Sequence, residues 1–132
     1  MESERSSGIP PTLSQNLGAF LSEVARRGAP DEVRKVGIES FTDCIGTIIA
    51  GRHEEPTRLV RAGLAPCPPG DAQLGFSHER ASATCAAFVN GVAAHVLDFD
   101  DVALRGHPSA VLVPAIVSLA QEIGCSGSDM LD

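Results

Sequence analysis

The amino-acid sequence predicts an all-α domain of packed helices. Apolar residues recur at helical spacing in several segments, each bounded by cap-type residues. The stretch 81–97 is built on alanine and other small residues, which favour helix and make poor strands. Extended structure is suggested only briefly, at Gln73–Phe76. With 132 residues, 43% apolar and 20% charged, the composition is that of one globular domain. A chain of this length can bury roughly two thirds of its unfolded surface.

Residues 1–11 are polar, end in the pair Pro10-Pro11, and are expected to form a flexible leader. Thr12 with Gln15 three residues later is a capping box, and Leu13, Leu17, Phe20, Leu21 and Val24 follow at helical spacing up to Gly28. Pro30 opens a second helix, with Asp31 and Glu32 where the helix dipole favours acids. Its apolar face is Val33, Val36, Phe41, Cys44, Ile45, Ile48 and Ile49, ending near Gly51. Gly37 and Gly46 weaken that helix and are expected to mark close packing by another one. Pro56 starts a short third helix reaching about Leu64, and Pro66, Pro68, Pro69, Gly70 and Gly75 make residues 65–75 a loop. Within 81–97, Asn90-Gly91 between apolar runs is also a hairpin signal. The alanines favour the helix, with Gly91 as a close-packing site. The last helix runs to Ile123, with Val113, Ile116, Val117, Ala120 and Ile123 on one face, and Gly124 ends it. Pro114 either kinks this helix or marks its start. Residues 126–132 carry a further helix-start signal, with Ser128 or Ser126 as N-cap. No helix follows, so the chain reads as truncated.

A net charge of −7 argues against nucleic acid as a partner, because phosphate neutralisation needs a basic surface. Five Phe with no Trp or Tyr leave almost nothing for base stacking. The N-terminus lacks the basic and apolar regions of a secretory signal. The longest apolar stretch, Ala110–Ala120, is too short to span a bilayer, so no membrane partner is expected. The four cysteines, Cys44, Cys67, Cys85 and Cys125, contain no CxxC pair and read as reduced, mostly buried thiols of a cytoplasmic protein. No zinc site is expected from them.

The densest polar cluster is Asp98, Asp100 and Asp101, with His107 shortly after. Crowded carboxylates near a histidine suit acid, base or orienting roles. They also suit Mg²⁺, or a plain helix-end cap with two solvated acids. His107-Pro108-Ser109 sits where a helix begins, and free N–H groups there favour an anion such as a carboxylate. His95 lies three residues before Asp98 on the Ala-rich helix and is more simply a hydrogen-bonded core residue. Asn90 reads first as satisfying a buried backbone group, with substrate binding as its alternative. His53 and His78 read as surface residues.

The string from Ala87 through Asn90-Gly91, Ala94-His95, Leu97-Asp98-Phe99-Asp100-Asp101 and His107-Pro108-Ser109-Ala110 to Val113-Pro114-Ala115 resembles the MmgE/PrpD family. The likeness runs from about Leu13 to the end of the chain. It implies the incomplete N-terminal portion of an all-helical domain over residues 12–132. It also implies a hydro-lyase or decarboxylase acting on small polycarboxylates such as 2-methylcitrate or cis-aconitate. The family is similar in needing no cofactor and no metal, and in forming homodimers. The resemblance places Asp98 and His107 in the active site, and they are the expected catalytic pair. The chemistry suits Asp98 holding the imidazole in one tautomer. Asn90, Asp100, Asp101 and Ser109 are the expected substrate-binding supports. Where the family commonly carries threonine after DFDD this chain has Val102, and the loop before His107 is shorter. The family's catalytic lysines lie beyond the matched segment, and Lys35 is the only lysine here. The chain alone is therefore expected to be inactive. Two rival readings are a non-catalytic helical oligomerisation or partner-binding module, and a metal-binding module at the DFDD cluster.

Overall fold

The computed structural model describes residues 10–103 and 105–131, so the expected leader lies almost wholly outside the described residues. Helix α1, Leu13–Arg27, starts on the Thr12–Gln15 capping box and stops at Gly28. It buries none of its residues, and Leu13, Leu17, Phe20 and Leu21 all face solvent. Helix α2, Asp31–Gly51, begins after Pro30 as the sequence predicts. Only its second half packs: Cys44 and Ile48 are fully buried, whereas Val33 and Val36 are exposed. Helix α3, Glu55–Leu64, follows at once, and its buried Thr57 donates to the Gly51 carbonyl at 2.9 Å.

The loop after α3 holds more extended structure than expected. Strand β1, Ala72–Gln73, pairs antiparallel with β2, Arg80–Ala81. The predicted piece at Gln73–Phe76 survives only at Gln73, because Gly75 and Phe76 take positive φ and turn the chain back. The same loop overturns the expectation of four reduced thiols. Ser82 N–H donates to the Pro68 carbonyl, which lays the loop over the next helix, and Cys67 and Cys85 form a disulfide. Cys44 is a buried free thiol and Cys125 an exposed one.

Helix α4, Ala83–His95, resolves the helix-or-hairpin choice in favour of helix. Helix α5, Pro108–Ile123, starts at Pro108, with Pro114 inside it and Gly124 closing it in the left-handed conformation. Ser126 and Asp129 then form the reciprocal bonds of another capping box. These bonds from Ser126 hold the Asp129 carboxyl below its ordinary range. No helix of the described residues is long and apolar enough to cross a membrane.

Helix α4 is the centre of the packing. One cluster joins Cys44, Ile48, Ala93, Ala94, Ala110, Val113 and Val117 from α2, α4 and α5. A second joins Ala72, Leu74, Ala81, Cys85, Ala86 and Val89 under the β-hairpin. Alanine on both sides of α4 lets its neighbours come close. At Gly91 an added Cβ would sit 3.2 Å from the Ala110 carbonyl oxygen, so the expected close packing is there. The expectation for Gly46 is not met: nothing lies within 4 Å of it, and the tight point of α2 is Gly51. Gly37 meets Leu131 of the C-terminal turn, not a helix.

These two glycines give opposite expectations. A Cβ at Gly51 would run into the Ala93 carbonyl oxygen and approach Val96 Cγ1 to 2.7 Å. Gly51→Ala is expected to cost about 1–3 kcal/mol through overpacking. Gly46→Ala, in open space on a helix, is expected to stabilise by about 0.5–1 kcal/mol. Urea-denaturation midpoints of the two variants check both signs.

Candidate active site

The site forms where the C-terminal end of α4 meets the N-terminal end of α5. His95 is the last residue of α4. Asp98 N–H then bonds back to the His95 carbonyl at 2.9 Å, and Asp98 takes a positive φ of 54°. That turn aims the next acid inward. The side chain of Asp100 is completely buried, while that of Asp98 is 81% exposed. Ala103 and Gly106 exchange backbone hydrogen bonds in a tight return that delivers His107 to the start of α5.

Four side chains converge. His95 Nδ1 lies 3.1 and 3.2 Å from the two Asp100 oxygens. His107 Nδ1 lies 3.2 Å from Asp100 Oδ2, within ionic reach but without the alignment of a hydrogen bond. His107 Nε2 faces Asp98 Oδ1 at 4.0 Å. The two imidazole rings stand 4.4 Å apart, tilted by 57°. Asp100 thus sits at the Nδ1 edge of the His107 ring and Asp98 at its Nε2 edge.

The other expected site residues are placed differently. Asp101 Oδ1 accepts from Ser109 N–H at 3.1 Å, an N-terminal cap supplied from outside the helix, since His107 makes no side-chain cap. The Ser109 N–H expected to face an anion is thus already taken, and the residue is buried. Its carbonyl accepts from Cys44 Sγ at 3.3 Å. Asn90 Oδ1 accepts from Gly75 N–H at 2.7 Å, and its Nδ2 donates to the Gln73 carbonyl at 2.9 Å. Both ends of that amide clamp the hairpin to α4, away from the His–Asp cluster.

His95 is the member that the sequence reading underweighted. The left-handed turn at Asp98 hands the His95 contact to Asp100. The available signal was a histidine at a helix end followed by an acid beyond one tight turn. Beside the cluster runs an open groove of about 1300 Å³, whose walls include Phe88, Val92, Val111 and Leu119. His95, Asp98 and His107 line the same groove. The cluster therefore meets solvent through an apolar channel, a setting in which proton transfer to or from a small bound acid is feasible.

The MmgE/PrpD N-terminal domain matches residues 15–132. The chain belongs to the MmgE/PrpD family. The match takes in every helix described here except the first two residues of α1. No curated protein and no solved structure matches the chain. In this MmgE/PrpD domain the DFDD and HPS segments are the two ends of one loop, and the loop closes over the buried Asp100.

Cys44 ties α2 to that loop, and its own titration is displaced. Burial pushes its thiol from 9.0 up to about 11; a Thr47 hydrogen bond opposes this, and the charges of Asp100, Asp101 and Asp43 add to it. Unfolded thiols lose their proton first, so stability is expected to fall as pH rises from about 9 to 11. With no tyrosine in the chain, a Cys44→Ala variant should show a shallower alkaline loss in pH-dependent thermal melts. At neutral pH a thiol reagent should modify Cys125 in the folded chain and reach Cys44 only after unfolding.

Proposed function

We propose that the chain is the N-terminal part of a lyase, a hydro-lyase or decarboxylase acting on small polycarboxylates such as 2-methylcitrate or cis-aconitate. The observation that supports this reading is the meeting of His107 with Asp98 and Asp100 at the groove, in a member of the MmgE/PrpD family. Elimination beside a carboxylate needs one group to take a C–H proton and another to protonate the leaving hydroxyl. The exposed Asp98 carboxylate and His107 Nε2 are the pair placed to do so: the carboxylate takes the C–H proton, and the imidazole, carrying a proton on Nε2, gives it to the leaving oxygen. In a dehydration the C–H electron pair becomes the new double bond, the C–O bond breaks, and the leaving oxygen departs as water with the donated proton. In a decarboxylation the C–C bond to the lost carboxylate breaks, and the same pair of groups returns a proton to carbon. Asp100 orients the imidazole, and no cofactor is required for either course.

The developing enolate also needs positive charge. Of this chain's cations, Arg105 is exposed on the turn before His107, and Lys35 lies on α2 outside the groove. The reading therefore has the lysine-bearing part of the enzyme supplied elsewhere and the chain inactive by itself. The exposed apolar faces of α1 and α5 support assembly into a homodimer. Those same faces favour the second reading, a non-catalytic oligomerisation or partner-binding module.

The test joins this chain to the remaining segment of an MmgE/PrpD enzyme and follows turnover of both acids by absorbance. The chain alone is expected to show none, and the joined protein measurable turnover. Asp98→Asn and His107→Gln should each lower kcat by about 10²-fold or more. Near-normal turnover in both variants would remove the lyase assignment from this site and leave the non-catalytic module.

A further inference from the structure

Among the described residues Asp100 is the only buried Asp or Glu, and no lysine or arginine pairs with it. An ionised carboxylate out of water is costly unless a cation or several donors compensate it. The groups facing it are two imidazoles. His95 Nδ1 is 3.1 Å from one oxygen, and His107 Nδ1 is 3.2 Å from the other. His107 Nδ1 is itself buried without a hydrogen-bond partner. Asp98 brings a second carboxylate to the other edge of the same ring. One donor atom from each of His95, Asp98, Asp100 and His107 lies within 4.8 Å of the others.

Two imidazole nitrogens with two carboxylate oxygens form a donor set suited to first-row divalent cations, zinc among them. Mg²⁺ and Ca²⁺ prefer oxygen alone. Two ligands of a tetrahedral ion, each about 2.1 Å from it, stand about 3.4 Å apart. The two imidazole–Asp100 separations, 3.1 and 3.2 Å, already suit such an ion. The wider gaps, up to 4.8 Å, must close by about an ångström or more, and the exposed Asp98 carboxylate is the arm with room to move. We propose that His95, Asp98, Asp100 and His107 bind one divalent transition-metal ion of the zinc class. The ion occupies the imidazole that the lyase reading uses, so it competes with proton transfer there and does not assist it. The site itself does not depend on that reading being right.

Calorimetric titration of the EDTA-treated chain with ZnCl₂, paired with the visible absorption of bound Co²⁺, tests the site directly. One ion per chain is expected. His95→Gln, at the exposed edge of the cluster, should weaken binding at least about tenfold without disturbing the fold, and Asp100→Asn should do the same or more. A His53→Gln/His78→Gln double variant, outside the cluster, should bind as the parent does. Absence of saturable Zn²⁺ binding, loss of the ion in the double variant, or Mg²⁺ binding as tight as Zn²⁺ would each overturn the proposal. Turnover of the joined protein is read in EDTA, so a failed metal site and a failed lyase reading are told apart.

Discussion

The approach of α4 to its neighbours through alanine and glycine is the constraint on which the rest of the structure depends. Ala93 and Ala94 meet α2 and α5 in one cluster, and Gly51 and Gly91 allow backbone-level contact at its two edges. Larger side chains would hold the helices apart and lose many small dispersion contacts. The spacing matters beyond stability, because His95 ends α4 and His107 precedes α5. Their rings can stand 4.4 Å apart only while those two helices stay close. The Cys44 thiol, buried on α2, reaches the Ser109 carbonyl across the same interface and fixes the third helix to it.

Most of the helical layout was legible because its signals are local. The Thr12–Gln15 box, Pro30, Pro108 and the two helix-ending glycines each act within a turn of the chain. What was not legible depends on distant partners. Gly46 and Gly51 look alike in sequence, yet only the second faces another backbone. Cys67 and Cys85 carry no motif, and their pairing depends on how a proline-rich loop folds back over α4. The hairpin pairs only two residues on each side, too few for any alternation to register.

The site divides along the same line. That the DFDD and HPS segments would meet was readable from the pattern of acids and histidine. The division of labour among the three acids was not, because it turns on one backbone angle. With Asp98 in the left-handed region, Asp100 points into the protein and Asp101 points at the start of α5. Had Asp98 continued α4, the face it shares with His95 would have paired those two. Asn90 shows the reverse case: the plain expectation of a satisfied buried backbone group describes where its amide goes.

A fully buried carboxylate between two imidazoles is an uncommon arrangement for a mere structural bond, since apolar groups of the same size would fill the space without the desolvation cost. A capping role explains Asp101 completely, because its oxygen meets an otherwise orphaned helix N–H. It does not explain Asp100, whose carboxylate oxygens lie against two histidine side chains. Asp100 therefore faces the rings themselves, at 3.1 Å from His95 Nδ1 and 3.2 Å from His107 Nδ1. On the two proposed uses, the imidazoles at the mouth of the apolar groove handle a small charged species, either a proton passed to a substrate or a cation held in its place. Both uses draw on the same buried charge, so removing it as Asp100→Asn should disturb them together while leaving the alanine–glycine packing behind it intact.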